Sequence, residues 1–346
     1  MHLCEGFVEQ GISVDLLLIN GRKPLSPIPS GVRAISLGAS HTYTSFFSLV
    51  EYLRRHRPAA LLAAKNRANE VAIMARQMAG VPTRIIVRMG TTLSAALEGK
   101  PGVRKMLWYQ PMRFIYPRCD AVVAVSRGVA DDMIRITGVC RSKIHVIPNP
   151  VITSGMARMA AQPAPHLWLT APDLPVVMGV GRLTHQKNFN TLIRAFAILT
   201  RNIPSRLIIL GEGKERIALE NLVARLDLTA RVDFPGHVEN PHAYVARASL
   251  FVLSSLWEGS PNVLTEALAL GTPVVATDCP SGPREILAKG RYGPLVPMGD
   301  PGAMALAMEK VLRHPPDKNA LVQTVAQYRV DKSSRHYLDV LLDRKN

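Results

Sequence analysis

Two glutamates, Glu258 and Glu266, lie eight positions apart in the stretch EGSPNVLTEAL, residues 258–268. A strand-like run at 250–255 precedes them, and Pro261 is a residue type favoured at the first position of a helix. Because the first amides of a helix have no partner inside it, the stretch predicts an anion site flanked by two acids. For either acid alone, a helix-terminal or surface carboxylate is the more ordinary interpretation.

The segment GVGRLTHQKN, residues 179–188, places two cations after another strand-like run. Arg182 offers a forked donor and Lys187 a compact charge, which together suit a diphosphate, although two cations in a loop are more often solvated. Thr184 stands where a GxGxxG dinucleotide motif needs its third glycine, so that motif is absent. The later LGEGKER, residues 210–216, lacks the GxxxxGK spacing of a P-loop, which argues against a Walker-type nucleotide triphosphatase.

All of these residues follow predicted strands, so they share one predicted location at the carboxyl edge of a sheet, where open α/β folds bind ligands. A nucleoside diphosphate uses every part of such a site. Cations and amides suit its phosphates, and one carboxylate suits the ribose diol. The other carboxylate is then left for the group attached beyond the second phosphate.

Short apolar, β-branched runs alternate with helical patterns along the chain. The first half predicts buried strands at 12–19, 59–64, 84–89, 121–126 and 143–149, with helices at 44–56, 67–79 and 127–137. The second half predicts strands at 176–183, 206–213, 232–238, 250–255 and 273–278, with helices at 189–201, 214–226, 241–247, 262–270 and 301–314. This alternation is typical of parallel βαβ units, so we expect an α/β protein with two doubly wound, Rossmann-like domains.

The predicted domains are residues 1–160 and residues 161–325, joined through the Pro- and Ala-rich segment 152–175. A last helix is predicted near 320–343, and as a C-terminal element, residues 326–346, it could pack back on the first domain. The opening strand and glycine-rich turn that are usual in a doubly wound domain are not found ahead of the first predicted strand. We therefore expect the first domain to be truncated.

Charge and cysteine usage exclude several classes of protein. The formal net charge is +16, and residues 1–160 carry 21 Lys and Arg against 9 Asp and Glu. Such a basic half suits a polyanionic partner or an anionic membrane, with an ordinary basic surface as the alternative. No zinc-finger spacing or RNP-like motif occurs, so no nucleic acid partner is expected. The absence of a CxxC motif, of a bilayer-length apolar run and of a signal peptide predicts a cytoplasmic protein.

Stretches from both halves of the chain follow one family pattern. They are GRLTHQKN, the pair LGEG and FPGH, EGSPNVLTEALALGTPVVATD, SGPREIL, and the earlier AVSRGVADDMIRITGVCRSKIHVIPNPV. Together they resemble the retaining GT-B glycosyltransferases of family 4 over nearly the whole chain. The resemblance implies a GT-B fold, in which two Rossmann-like domains face a cleft, and transfer of a sugar from a nucleotide-sugar to an acceptor with retained anomeric configuration.

The resemblance also assigns roles. It implies that Arg182 and Lys187 neutralise the diphosphate leaving group, and that Glu266 binds the ribose hydroxyls. Glu258 lies by the donor sugar in this assignment, so the candidate catalytic residues are Glu258, Lys187 and Arg182. The donor-binding candidates are Gly181, Arg182, Lys187, Gly211, Gly236, His237, Glu258, Gly259, Ser260, Asn262, Val263, Leu264 and Glu266. No DxD motif is present, and we expect cations and amides to replace a metal, with no cofactor.

One departure and one basic segment concern the first domain. Many relatives carry a histidine at the end of the strand that reads RIIVRMGTTLS here, and Arg88 is the candidate substitute. The segment at 99–120 interleaves cations with aromatic residues, which favours contact with an anionic membrane, although an amphipathic helix with a core-facing apolar side is the alternative. The candidate acceptor or membrane residues are Arg88, Arg104, Lys105, Trp108 and Arg113.

The sequence therefore predicts a metal-independent, retaining glycosyltransferase at the inner face of the cell membrane. It would transfer a hexose or N-acetylhexosamine, from UDP by preference, to a lipid-linked or glycan acceptor in polysaccharide, lipopolysaccharide or glycolipid assembly. The first alternative is a truncated, non-catalytic GT-B protein that binds nucleotide or membrane without turnover. A GT-B epimerase or sugar phosphorylase is the second, but no motif for either is found.

Overall fold

The computed structural model describes residues 1–20, 27–96, 101–171 and 173–344, with side chains throughout except at residues 95, 96, 103 and 104. The chain forms two compact units. Unit 1 consists of Met1–Pro150 and Gln327–Asn346, and unit 2 of Val151–Ala326. Both contain only parallel strand pairs among the described residues, as the expected α/β class requires.

Unit 1 alternates strands and helices along residues 1–150. Its strands are β1 (Val14–Leu18), β2 (Val32–Ser36), β3 (Ala60–Ala64), β4 (Arg84–Met89), β5 (Ala121–Ala124) and β6 (Ile144–Val146). Its helices are α1 (His2–Val8), α2 (Phe46–His56), α3 (Asn66–Ala79), α4 (Leu93–Ala96), α5 (Gly102–Ile115) and α6 (Arg127–Thr137). β1 pairs with β2, and β3 to β6 form a second sheet in that order.

The core of unit 1 lies on both faces of its four-stranded sheet. Neighbouring residues of β4 alternate between the two faces: Ile85 and Val87 join the cluster under α2, α3, α5 and α6, whereas Ile86 joins the cluster under α1. This alternation follows from the two-residue period of a strand. Burial on both faces explains why β5 and the central residues 85–87 of β4 are continuously apolar.

Unit 2 repeats the pattern. Its strands are β7 (Val176–Val180), β8 (Arg206–Leu210), β9 (Val232–Gly236), β10 (Leu250–Leu253), β11 (Val274–Thr277) and β12 (Leu295–Val296). Its helices are α7 (Met156–Ala161), α8 (Leu167–Thr170), α9 (Phe189–Leu199), α10 (Arg216–Arg225), α11 (Pro241–Val245), α12 (Asn262–Ala269), α13 (Pro283–Ile286), α14 (Pro301–Arg313) and α15 (Lys318–Thr324).

The six strands of unit 2 form one sheet in the order β12-β11-β10-β7-β8-β9. The order reverses between β7 and β10, which is the arrangement of a doubly wound nucleotide-binding sheet. The fold class expected from the alternation of strands and helices is therefore confirmed.

The segment 152–175, expected to be a linker between domains, is partly helical. α7 packs on α11: Asn240 donates to the carbonyl of Met159, and Arg247 donates to the carbonyl of Ala160, at 2.8 and 2.9 Å. These bonds assign residues 151–160 to unit 2, whereas the sequence prediction placed them in the first domain.

The last helix, α16 (Val330–Leu341), belongs to unit 1, where it packs on α1. Ser333 donates to the carbonyl of Pro148 at 2.9 Å, and the Tyr337 side chain is fully buried. The continuous helix expected near 320–343 is instead interrupted between α15 and α16, because the chain passes from one unit to the other there.

Two strands were not expected from the sequence. β2 is half exposed and carries Arg33 and Ser36, so it lacks an apolar run, and β12 has only two residues. No helix in the described part of the chain is both long and apolar enough to span a bilayer.

Candidate active site

The centre of the unit 2 sheet brings two loops together. β7 and β10 are neighbours there, and the loops that follow them carry GRLTHQK and SLWEG. Because parallel strands end at the same edge, both loops lie at the carboxyl edge, at the reversal of strand order where such sheets bind ligands.

An ion pair joins these loops. Nζ of Lys187 lies 2.5 Å from Oε1 of Glu258, and the hydroxyl of Ser255 donates to the same oxygen at 2.7 Å. The Lys187 and Glu258 side chains are only 15% and 9% exposed. Since a buried charge is costly unless it is paired, each of these groups stabilises the other in place.

Uncharged hydrogen bonds fix the loops that carry the pair. Ser254 donates to the carbonyl of Lys187 at 2.7 Å, and Gln186 donates its side-chain amide to the carbonyl of Trp257 at 2.9 Å. The amide of Leu256 donates to the carbonyl of Gln186 at 2.8 Å. The backbones on either side of the ion pair are therefore held together independently of its charges.

Close backbone packing explains two of the predicted glycines. A Cβ atom at Gly211 would lie 2.1 Å from the carbonyl oxygen of Gly181, so only glycine lets the loops after β7 and β8 touch. A Cβ atom at Gly181 would lie 3.1 Å from Cε of Lys187, so glycine there leaves room for the lysine stem. The amide of Gly211 also donates to the carbonyl of Gly236 at 2.8 Å, which adds the loop after β9 to the same edge.

Helix α12 begins four residues after Glu258, with Pro261 as its N-cap residue. Gly259 and Ser260 lead into it, and Asn262 and Val263 start its first turn. Amides of a first turn have no carbonyl partner within the helix, and the helix dipole favours an anion beside them. The Leu264 side chain is fully buried in the core, and its amide already donates to the carbonyl of Pro261 at 3.2 Å. The helix start follows the ion pair directly in sequence, and an anion site there remains a prediction.

Glu266 lies farther along α12, away from the ion pair in sequence. Its Oε2 atom is 3.9 Å from Nε2 of His242, which lies on α11. Burial raises the pKa of Glu266 from its ordinary value to about 7. Glu258 and Glu266 therefore have different surroundings: the first is paired with a lysine, whereas the second is a desolvated carboxyl beside an imidazole.

Arg182 and His237 are exposed at the same edge of the sheet. Arg182 follows β7 and precedes Lys187 in one loop, and His237 follows the last residue of β9. Within the described ranges, neither side chain makes a hydrogen bond or an ion pair with another side chain. Both are therefore available to a ligand.

The structure thus brings the predicted donor residues to one edge of unit 2, in loops that contact one another directly. It does not test what they bind, so their roles remain predictions. Across the residues that the structure describes, no three His, Cys, Asp or Glu side chains are placed to hold a metal ion together. The expectation of a metal-independent site likewise remains a prediction.

Arg88, a predicted acceptor residue, has partners inside unit 1. Its Nε atom donates to the Tyr337 hydroxyl at 3.0 Å, and its Nη2 atom donates to Oδ1 of Asn149 at 2.6 Å. These bonds tie β4 to α16 and to the segment that ends the first part of unit 1. They give Arg88 a structural role that the sequence did not predict.

Helix α5 contains the predicted membrane residues. Its exposed apolar side chains are Met106, Leu107, Trp108 and Phe114, which are 60, 68, 46 and 66% exposed. Met112 packs in the core, so part of the helix is an ordinary amphipathic element, but these four side chains are not buried by the rest of the described chain. Lys105 is half-buried and Arg113 donates to the carbonyl of Ile136 at 3.1 Å, whereas the Arg104 side chain lies outside the described residues.

Comparison with known families agrees with this architecture. Residues 168–327 match the family described as glycosyl transferases group 1, and residues 1–150 match the glycosyl transferase 4-like domain. The two halves of the chain therefore belong to two glycosyl transferase families, the 4-like domain for residues 1–150 and group 1 for residues 168–327. The resemblance inferred from the motifs is thereby confirmed, and these glycosyl transferase matches cover both units.

Two curated relatives of this glycosyl transferase come from bacteria. One relative is the N-acetylgalactosamine-N,N'-diacetylbacillosaminyl-diphospho-undecaprenol 4-alpha-N-acetylgalactosaminyltransferase of Campylobacter jejuni. The chain is 31% identical to it over 247 residues, and the alignment covers 71% of this chain and 65% of the relative. The chain is 35% identical over 204 residues to the lipopolysaccharide core biosynthesis glycosyltransferase LpsE of Rhizobium meliloti, covering 58% of this chain and 57% of the relative. The chain thus spans less than two thirds of the length of either.

Solved structures show the same fold at low identity. The Anabaena protein HepE in complex with UDP gives a TM-score of 0.72 at 19% identity, over 90% of this chain and 86% of HepE. Sucrose-phosphate synthase from Thermosynechococcus elongatus gives 0.75 at 21% identity, over 99% and 89% of the two chains. The glycosyl transferase therefore has the expected GT-B fold.

Sequence reasoning missed several residues of the site. Ser255 and Lys187 both donate to the Glu258 carboxylate, and His242 lies beside Glu266. Ser254 and Ser255 end a buried strand, where polar residues are unusual, and this signal was available in the sequence. His242 had no such signal, because its neighbour Glu266 is distant in sequence.

Proposed function

We propose that this chain is a retaining glycosyltransferase that transfers a hexose or N-acetylhexosamine from UDP to a lipid-linked or glycan acceptor. The enzyme acts in the assembly of polysaccharide, lipopolysaccharide or glycolipid at the inner face of the cell membrane. The observation that carries the proposal is the Lys187–Glu258 pair at the start of α12, on the reversal point of the unit 2 sheet.

The diphosphate binds between the cations and the helix start. Arg182 is exposed with its donors available, Lys187 holds a compact positive charge, and the first turn of α12 offers backbone amides. As the bond to the sugar breaks, negative charge grows on the leaving diphosphate, and fixed donors stabilise it more than they stabilise the bound substrate. This arrangement performs the task that a divalent cation has in other enzymes, so the reaction needs no metal.

The two glutamates have separate tasks. Glu258 lies by the donor sugar, holds its hydroxyls and stabilises the positive charge that develops at the anomeric carbon. Glu266, eight residues farther along the chain and one turn into α12, accepts hydrogen bonds from the ribose diol. The different partners of the two carboxylates, Lys187 for one and His242 for the other, support this division.

The acceptor and membrane parts of the proposal rest on unit 1. Four exposed apolar side chains on α5 lie among basic residues, which suits the interface of an anionic bilayer. Both bacterial relatives support the substrate class: one is named for transfer to an undecaprenol-linked sugar, and the other for lipopolysaccharide core synthesis. The choice of UDP is supported by the UDP complex of HepE.

The test is a thermal-shift screen of the purified protein against UDP-sugars and GDP-sugars, followed by transfer assays with EDTA present. A ligand that binds only the folded state raises the melting temperature. We expect UDP-sugars to raise it and transfer to persist in EDTA. A protein that no nucleotide-sugar stabilises would refute the proposal, and UDP binding without hydrolysis or transfer would favour the non-catalytic alternative.

A further inference from the structure

Unit 1 contains a buried carboxylate at the carboxyl edge of its sheet. Glu70 is one turn into α3, which begins two residues after β3 ends, and the residue is only 7% exposed. Its Oε1 atom accepts a hydrogen bond from Asn66 at 3.0 Å, and its Oε2 atom accepts one from the Tyr43 hydroxyl at 3.0 Å. The carboxylate thus lies where open α/β sheets bind ligands, in the unit that does not hold the donor residues.

Glu70 differs from the other buried acids of the described chain. These are Asp132 and Glu258, and each has a cation: Arg135 at 2.6 Å and Lys187 at 2.5 Å, respectively. No Lys, Arg or His nitrogen of the described residues lies within 4.0 Å of the Glu70 carboxylate, which has only neutral donors. Burial of a charge without a counter-ion reduces the stability of the fold. A buried acid of this kind is therefore a candidate for a role in binding.

The two oxygens of Glu70 are held by two residues that differ in burial. Asn66 is fixed from the core, because the hydroxyl of the fully buried Tyr116 donates to its Oδ1 atom at 2.5 Å. Tyr43, in contrast, is 53% exposed and lies in a short 3-10 helix, Tyr43–Ser45. A ligand hydroxyl can therefore replace the Tyr43 phenol on Oε2 without disturbing the core.

The chemical groups of Glu70, Asn66 and Tyr43 suit a ligand with several hydroxyl groups. Partial burial, and then the hydrogen bond to Glu70, raise the pKa of Tyr43 above its ordinary value, so the phenol stays protonated and remains a donor at neutral pH. A carboxylate that already accepts one hydroxyl, next to an amide and an aromatic ring, offers the groups with which proteins bind sugar hydroxyls.

We propose that Glu70 binds a hydroxyl group of the sugar acceptor, which displaces the Tyr43 phenol from the carboxylate. The proposal rests on the proposed function, since it supplies the acceptor subsite for the same transfer. Nothing in the donor site of unit 2 is required for it, so the two can be tested separately.

The experiment measures glycoside binding by saturation-transfer NMR, with the intact protein and UDP present. The probes are the methyl α-glycosides of glucose, galactose, N-acetylglucosamine and N-acetylgalactosamine. Three variants are compared with the wild type: Glu70→Gln, Tyr43→Phe and, as a matched control, Glu51→Gln, which changes an exposed glutamate on α2. UDP affinity and melting temperature are measured for each.

We expect the wild type to bind at least one glycoside and Glu70→Gln to bind it about tenfold more weakly, since a hydrogen bond to a charged group is lost. Tyr43→Phe should bind it as tightly as the wild type or more tightly, because the competing phenol is gone. UDP affinity should be unchanged in all three variants, and Glu51→Gln should match the wild type throughout.

The proposal is overturned if no glycoside binds while UDP does, or if Glu70→Gln binds glycosides like the wild type. It is also overturned if Tyr43→Phe weakens glycoside binding, which would make the phenol a fixed part of the fold rather than a displaceable cover. That variant decides the question alone if Glu70→Gln does not fold. If the wild-type protein does not bind UDP, the result instead refutes the proposed function.

Discussion

Lys187 and Glu258 form an ion pair that connects the two central loops of unit 2, with 2.5 Å between Nζ and Oε1. A diphosphate that binds Lys187 competes with Glu258 for the ammonium group. In the proposed function, phosphate binding therefore draws the ammonium group away from the Glu258 carboxylate, which becomes available to the donor sugar. The proposed function thus assigns one lysine to couple the binding of the leaving group to the carboxylate that is proposed to lie beside the anomeric carbon.

Replacement of Lys187 by alanine should reduce turnover more than donor affinity. We expect kcat to fall by about 100-fold or more, because the charge of the leaving group grows in the transition state. The same change leaves Glu258 buried without its cation and should lower the free energy of unfolding by about 3 kcal/mol. Steady-state kinetics below the melting temperature, together with urea unfolding, measure the two effects.

The matched control is Lys214→Ala, which removes an exposed lysine from the loop after β8. It should leave kcat and stability close to wild type. A Lys187→Ala enzyme with wild-type kcat would remove the lysine from the mechanism.

Replacement of Glu266 by alanine should weaken nucleotide binding. A carboxylate that accepts hydrogen bonds from a ribose diol contributes about 1–3 kcal/mol, so the Kd for UDP should rise by about ten- to a hundredfold. Calorimetry with UDP and GDP measures it, with Glu239→Ala as the control at an exposed position. Unchanged affinity for both nucleotides would exclude the ribose-binding role.

The pH dependence of UDP binding tests the same carboxyl group. Burial raises the pKa of Glu266 to about 7, so the protonated form predominates in the ligand-free protein below that pH. Only the ionised form accepts hydrogen bonds from both ribose hydroxyls, and affinity should therefore rise from about pH 5.5 to about pH 8. Because the UDP phosphate itself titrates near pH 6, the quantity to compare is the difference between wild type and Glu266→Gln. Parallel pH profiles for the two proteins would contradict the assignment.

The ligand-free protein should show the opposite trend in stability. A carboxyl pKa raised in the folded state means that the folded state binds the proton more tightly than the unfolded state does. The resulting stabilisation is fully present below about pH 4.5 and is lost as the pH rises through about 7. The melting temperature of Glu266→Gln, relative to that of the wild type, should therefore increase as the pH is raised over this range.

How much of this site the sequence could predict depends on how local each signal is. The position of Lys187 and Glu258 followed from short motifs at strand ends, because parallel topology brings such ends together whatever the details. Ser255, by contrast, acts through one hydrogen bond to Glu258, and His242 meets Glu266 only because α11 packs beside α12. The contact of His242 depends on packing between elements, which residue patterns do not specify, whereas that of Ser255 is local and depends on the conformation of the loop after β10.

The same distinction explains the differences in the fold. The buried strand β10 is a continuous apolar run and β4 contains the apolar stretch 85–87, and both were predicted, whereas the half-exposed β2 has no such run. Arg88 was assigned to the acceptor as the candidate substitute for a histidine that many relatives carry at the end of this strand. Its bond to Tyr337 depends on the return of α16 to unit 1, which the sequence pattern left open, and its bond to Asn149 depends on the path of the chain after β6.

The exposed face of α5 predicts membrane binding that depends on both apolar and basic groups. Leu107→Ser combined with Phe114→Ser should lower co-sedimentation with vesicles of phosphatidylethanolamine and phosphatidylglycerol by about tenfold, since two exposed side chains no longer enter the interface. Added salt should lower binding of the wild type further. Ile217→Ser, which removes a side chain that is 73% exposed in unit 2, is the control and should have no effect. Equal loss in the control would contradict a specific role for α5.

The central claim is that a nucleotide diphosphate binds at the carboxyl edge of the unit 2 sheet. A crystal structure of the protein with UDP tests it most directly. We predict phosphate oxygens within about 3.2 Å of Lys187 Nζ and of amides in the first turn of α12, with the ribose hydroxyls on Glu266. UDP bound elsewhere, with Lys187 still on Glu258 and no contact to Glu266, would contradict the account.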